Sequence, residues 1–264
     1  MPSARISNTT PYTTYKMWVT AKNAIGEGET AGPVSAQFNG CAPAVFNETF
    51  SSNVTFTTLD DPDGDGKNYR LAEINAPNGT LAIDSPGLAT ALIVAGGGGG
   101  NRGGGNGSSG GGAGGAIELL LGMDAIAYTA NVGAGGAGQF TAAAGNETTF
   151  AGYVIRPGLG GSQNAGSGGG GGHSGNGYWS NGGGGGSAGN GGVGFGGGCC
   201  CPGGAGLISK ITGVEVEYAQ GGVGNAKSGS PGTPGSGGAG GYDSWGDAPG
   251  GVGLDGVVYV RVEI

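Results

Sequence analysis

Glycine placement constrains this chain more than any other feature. Of its 71 glycines, 8 fall in residues 1–95 and 63 in residues 96–264. Glycine loses more backbone entropy on ordering than any other residue, about 1–2 kcal/mol for each residue fixed. It also brings no side chain to bury. With 12 prolines besides, such a composition usually signals low complexity or disorder. The runs show no three-residue register of glycine along the chain, so collagen is excluded. Disorder normally travels with high charge and few apolar residues. Here charged residues are 11% and hydrophobic residues 36% of the chain, and only 11 charged side chains lie between residues 96 and 252. The expectation is therefore an ordered, specialised region.

Ordered polyglycine must bond its amides to neighbours. In the polyproline-type helix there are three residues per turn, about 3.1 Å of rise each and no internal hydrogen bonds. Amides and carbonyls then point outward in three directions. Helices stacked side by side can bond to one another, and glycine alone permits that approach. Residues 182–192 would extend on the order of 30 Å in this form. Roughly ten such runs make a small bundle, with Ala113, Ser187 and Ala188 suited to its rim.

β-Strands fence the runs at both ends. Residues 13–21 alternate and are rich in β-formers, Gly26-Glu27-Gly28 reads as a turn, and Val34 to Phe38 as a short strand. Residues 41–47 read as a linker. Strands are then expected over 53–59, 69–74, 80–83 and 91–94, with Asn78-Gly79 as a hairpin turn. Further strands are expected over 116–121, 125–132, 148–155 and 214–218, and the chain ends on the alternating strand Val257 to Val262. The predicted class is mainly β with almost no α-helix: a β-sandwich framing a polyglycine II bundle. The domain plan is a hairpin at 1–40, a linker at 41–47, β-strands at 48–95, and the bundle with its closing strands at 96–264.

Two resemblances sharpen this plan. Thr9-x-Pro11-x-Thr13-x-Tyr15, Val19-x-Ala21-x-Asn23 and Gly26-x-Gly28 resemble the last two strands of a fibronectin type III domain, with Thr9 in place of the usual leucine. Earlier strands of such a domain are missing, and a lone hairpin is marginal, so it is expected to pair with the rest of the chain or with another chain. Val94 to Gly100, Asn131 to Gly138 and Gly256 to Val262 together look like the glycine-rich domain of phage minor tail proteins and tail-fibre adhesins. That resemblance covers about residues 46–264. It implies a β-sandwich leading into a layered polyglycine bundle, with tip loops that touch the host surface. By analogy with phage fibres it also implies a homo-oligomer, a trimer, with other tail proteins as partners.

Side chains reappear in the segments between runs. His173 to Asn181, containing Tyr178 and Trp179, and Gly241 to Asp247, containing Tyr242, Asp243 and Trp245, set aromatics among small polar residues. Rigid amphipathic aromatics dominate binding hot spots, so these are candidate contacts for a host glycan or protein. The competing role is apolar cover for the bundle ends. Asp61-x-Asp63-x-Asp65-Gly66 has the oxygen spacing of a calcium loop. However, Ala72 stands where the closing glutamate belongs, and Glu73 comes one residue late. The alternative is an acidic, solvated turn. Cys41 and Cys199-Cys200-Cys201 have neither disulfide-framework nor zinc-site spacing. Six Asn-x-Ser/Thr triplets are easily met by chance in this composition.

A net charge of −8 argues against nucleic acid and anionic membrane. The longest apolar stretch, Leu88 to Ala95, is too short to span a bilayer. The N-terminal residues lack a secretion signal's apolar core, so assembly in a cytosol is expected. No Gly-Lys-Ser/Thr loop accompanies the glycines. His173, the only histidine, has no nucleophile motif beside it, and no carboxylate pair is singled out. The expectation is a non-enzymatic component of the phage tail, located in the virion and without a cofactor other than the candidate calcium. The alternative is a secreted glycine-rich cell-wall or matrix protein.

Overall fold

A computed structural model describes residues 14–23, 26–37, 42–101, 108–138, 142–161, 202–224, 232–241 and 249–264. The described residues form fourteen β-strands and no helix, so the fold is mainly β as the sequence predicts. Strands β1 (Thr14–Asn23) and β2 (Gly26–Gln37) make an antiparallel hairpin with two register irregularities. Gly26-Glu27-Gly28 belongs to β2, so the reversal falls before it rather than on it.

The glycine-rich part is framed by two sheets. One has five strands in the order β4 (Thr55–Leu59), β5 (Tyr69–Ile74), β14 (Val257–Glu263), β7 (Gly87–Val94), β8 (Ala116–Met123). The other has three, in the order β3 (Val45–Ser52), β6 (Gly79–Ser85), β9 (Ala127–Ala130). Neighbouring strands are antiparallel throughout. The last strand of the chain thus sits at the centre of the larger sheet and closes it.

Side-chain alternation explains the layering. Ala72, Ile74, Ala91, Ile93, Val258, Val260 and Val262 face the three-stranded sheet and share one core with Phe46, Leu81 and Ile83. Leu71, Leu92, Val94, Val257 and Tyr259 face the other way and meet Ile211 and Tyr218. Those last two residues belong to a small hairpin region formed by β12 (Leu207–Ser209) and β13 (Val216–Tyr218). A strand buried on both faces should read as a nearly unbroken apolar run, as Val257-Val258-Tyr259-Val260 does.

Several expectations shift. β3 begins at Val45, inside the stretch read as a linker, and β12 went unread. Residues 148–155 are a tight hairpin of β10 (Thr148–Phe150) and β11 (Tyr153–Ile155) instead of one strand. Ala151 and Gly152, with φ of 48° and 82°, make its reversal, the geometry of a type I′ turn. Asn78 has φ 58° and does turn the chain. It nevertheless carries β5 of one sheet to β6 of the other, so no hairpin forms there.

Candidate functional site

The described glycine runs build one hydrogen-bonded body around residues 95–101. Gly96, Gly97 and Gly98 donate to Asn146, Leu254 and Gly112; Gly99, Gly100 and Asn101 then donate to Ala143, Gly251 and Ser109. The acceptors therefore rotate through the same three runs every three residues. Carbonyls do likewise: those of Gly96, Gly97 and Gly98 accept from Gly158, Gly136 and Gly238, and those of Gly99 and Asn101 from Gly161 and Gly241. Donated and accepted bonds between them reach six surrounding runs.

These six also bond to one another in a closed ring. Residues 142–147 join 156–161 through Gly145→Gly158, and 156–161 joins 108–115 through Gly112→Leu159. The ring continues through Gly111→Gly238, Gly251→Ala239, Gly253→Gly136 and Ala143→Ala137. Residues 219–224 and 202–206 add an outer layer through Gly222→Gly111 and Gly221→Gly204.

Close approach explains the glycines. A β-carbon on any of Gly96 to Gly100 would lie under 3.0 Å from a neighbouring run's carbonyl: Ala134, Ser236, Leu159, Ala137 and Ala239 in turn. In four of the six ring runs burial recurs every third residue, whereas residues 108–114 and 235–241 are buried throughout. Gly133 and Gly136, Gly158 and Gly161, and Gly250, Gly253 and Gly256 are buried, whereas Ala134, Ala137, Leu159, Val252 and Asp255 are exposed.

A few side chains join the glycine body to the sheets. Thr148, fully buried, donates from Oγ1 to the Val94 carbonyl (2.9 Å) and accepts from the Gly133 amide (2.9 Å). Asp255 Oδ1 accepts from Gly135 (2.7 Å). At the opposite end, buried Asn101 accepts the Ser109 amide on Oδ1 (2.6 Å). Beneath the sheet, Tyr218 and Tyr259 pack edge to face at 6.0 Å. Burial, helped by the Glu73 charge, pushes the Tyr259 hydroxyl well above its ordinary pKa.

The acidic turn is held by protein partners. Asp61 Oδ1 accepts from the Gly66 amide (2.8 Å), and Asp63 pairs with Arg261 (3.0 Å). Asp65 accepts from the Lys67 amide (3.1 Å) and the Tyr69 hydroxyl (2.9 Å). Arg261 also lies over the Tyr69 ring, 4.6 Å from its centre. The three carboxylates therefore engage separate partners. Among the described residues no group of three or more His, Cys, Asp or Glu side chains gathers as a metal site would.

The aromatic candidates His173, Tyr178, Trp179, Tyr242, Asp243 and Trp245, and all four cysteines, lie outside the described residues. Three of the described residues that border the aromatic segments share one location. Gly161 bonds to Gly99, Gly241 to Asn101 and Gly251 to both Ala239 and Gly100, all at the end of the body remote from β7. Sequence reasoning missed Thr148, Asp255 and Asn101. Thr148 and Asp255 sit where a run meets a strand, and that position was their only signal.

These features define a mainly β protein in which the described glycine runs form one body held by backbone hydrogen bonds. The glycine-rich domain family model matches residues 75–263, and the chain belongs to that family. Comparison with curated proteins gives no match.

Proposed function

We propose that this chain is a non-enzymatic structural protein of a bacteriophage tail, a minor tail protein or a component of the tail fibre or tip. In this role the sheets anchor it to other tail proteins and the glycine body presents host-contacting segments. One observation carries the reading: Gly161, Gly241 and Gly251, which border the aromatic segments, lie together at the end of the glycine body away from the sheets. A hydrogen-bonded body from which both aromatic segments depart suits display on a particle, and acidic charge suits a role without nucleic acid. We further read the glycine runs as polyglycine II helices. The three-residue rotation of hydrogen-bond partners around residues 95–101 supports this, because that helix has three residues per turn.

The test is localisation in purified virions by mass spectrometry and immuno-electron microscopy, and absence from the particle refutes the proposal. For host contact, changing Trp179 and Trp245 to Ala should reduce adsorption while particles still assemble. Unchanged adsorption assigns those aromatics to covering the bundle end. A crystal structure with backbone ψ far from about 145° in residues 96–100 overturns the helix assignment.

A further inference from the structure

We propose that β8, the edge strand of the five-stranded sheet, pairs antiparallel with β8 of a second copy of this chain across a twofold axis at Leu120. Among the described residues β8 bonds only to β7, and no strand lies along its outer edge. Natural edges are usually blunted by lysine, proline, a bulge or brevity. β8 has no lysine, proline or bulge, and its one charge is Glu118. It runs eight residues, Ala-Ile-Glu-Leu-Leu-Leu-Gly-Met, in unbroken register with β7 from Gly87↔Met123 to Val94↔Ala116.

Its apolar side chains are incompletely covered. Leu120 is 67% exposed and Ile117 38%, while Leu119 and Leu121 are only partly buried against the inter-sheet core.

Self-pairing is chosen over another occupant because the sequence of β8 complements itself. With Leu120 on the axis, Leu119 faces Leu121 and Ile117 faces Met123 on the core side. On the other side Leu120 faces its own copy, and the single charge of the strand, Glu118, faces Gly122. Like charges therefore never meet, and the apolar row continues from one core into the next. Directly opposed pairs of this kind are what stabilise a sheet. An isologous interface of this type makes a closed dimer.

The test is sedimentation equilibrium on the full chain across a range of concentrations, beside Leu120→Lys. We expect a dimer for the native chain and at least a tenfold weaker association for the variant, whose exposed position leaves the fold intact by circular dichroism. Leu120→Cys, in a background with the four native cysteines changed to Ser, should form a disulfide-linked dimer on mild oxidation. Phe50→Cys, on exposed β3 of the other sheet, should not. A monomer, a trimer, or a dimer indifferent to Leu120→Lys overturns the proposal. These readouts do not depend on whether the chain is found in virions.

Discussion

Gly98→Ala tests the glycine body at its centre. The new β-carbon would fall under 3.0 Å from the Leu159 carbonyl and 2.9 Å from the Gly160 nitrogen, both backbone atoms with no rotamer to yield. Residues 156–161 must then move outward. That displacement strains three bonds first: Gly158 to Gly96 (2.9 Å), Gly161 to Gly99 (2.8 Å) and Gly112 to Leu159 (2.9 Å). At a net value of about 0.5–1.5 kcal/mol each, their loss costs about 1.5–4.5 kcal/mol. The unfolded chain is stiffer with alanine, which returns about 0.4–1 kcal/mol. The net expectation is a destabilisation of roughly 0.5–4 kcal/mol. The control is Gly232→Ala, where a β-carbon meets nothing within 4 Å and the change should be neutral or slightly stabilising. Guanidinium denaturation followed by circular dichroism gives the stability difference. Amide exchange by mass spectrometry shows whether the loss centres on residues 95–101, 108–115 and 156–161. If Gly98→Ala is as stable as Gly232→Ala with unchanged exchange, the close-packed reading of the central run is wrong.

Thr148→Val should leave the Gly133 amide without its partner, at about 1–3 kcal/mol, and take one bond from the Val94 carbonyl. Thr148→Ser should recover most of that loss in the same denaturation assay. Arg261→Leu removes both the Asp63 ion pair and the stack on Tyr69, and should speed amide exchange across residues 60–67 while the glycine runs keep their protection. The Glu48 carboxyl is held below its ordinary pKa by its hydrogen bond from Arg70. A depressed carboxylate adds stability above its unfolded pKa and loses it as pH falls through the lowered value. Urea midpoints taken downward from pH 6 should therefore fall less steeply in Glu48→Gln than in the native chain.

The sheets were largely legible in the sequence and the glycine body only in outline. β5, β7 and β14 could be read because burial imposes alternation or an unbroken apolar run on them. β3 carries Asn47, Glu48, Thr49 and Ser51 on a mostly exposed strand, so no apolar pattern marks it. β12 is three residues long and Ile208 is exposed, so no apolar period marks it. The Asn78-Gly79 turn was visible, yet nothing local says whether a turn joins paired strands or two different sheets. The absence of a three-residue glycine register was true of the chain as a whole and hid local ones. Gly133 and Gly136, or Gly250, Gly253 and Gly256, keep the spacing, but added glycines at intervening positions, such as Gly135 and Gly251, blur it. The acidic turn shows the converse. Its spacing fits calcium ligands, but Arg261 and Tyr69, which engage Asp63 and Asp65, lie outside the motif. The host-contact candidates rest on sequence alone.

The ring around residues 95–101 also affects how this protein responds to temperature. Unfolding raises heat capacity in proportion to the apolar surface it exposes and lowers it in proportion to the polar surface. The sandwich withdraws valine, leucine and isoleucine side chains from water, whereas the interior of the ring withdraws peptide groups. Hydrophobic burial weakens on cooling, and a body held by amide-to-carbonyl bonds does not share that weakness. The two halves of one chain should therefore follow differently curved stability profiles, with the sandwich the first to loosen in the cold.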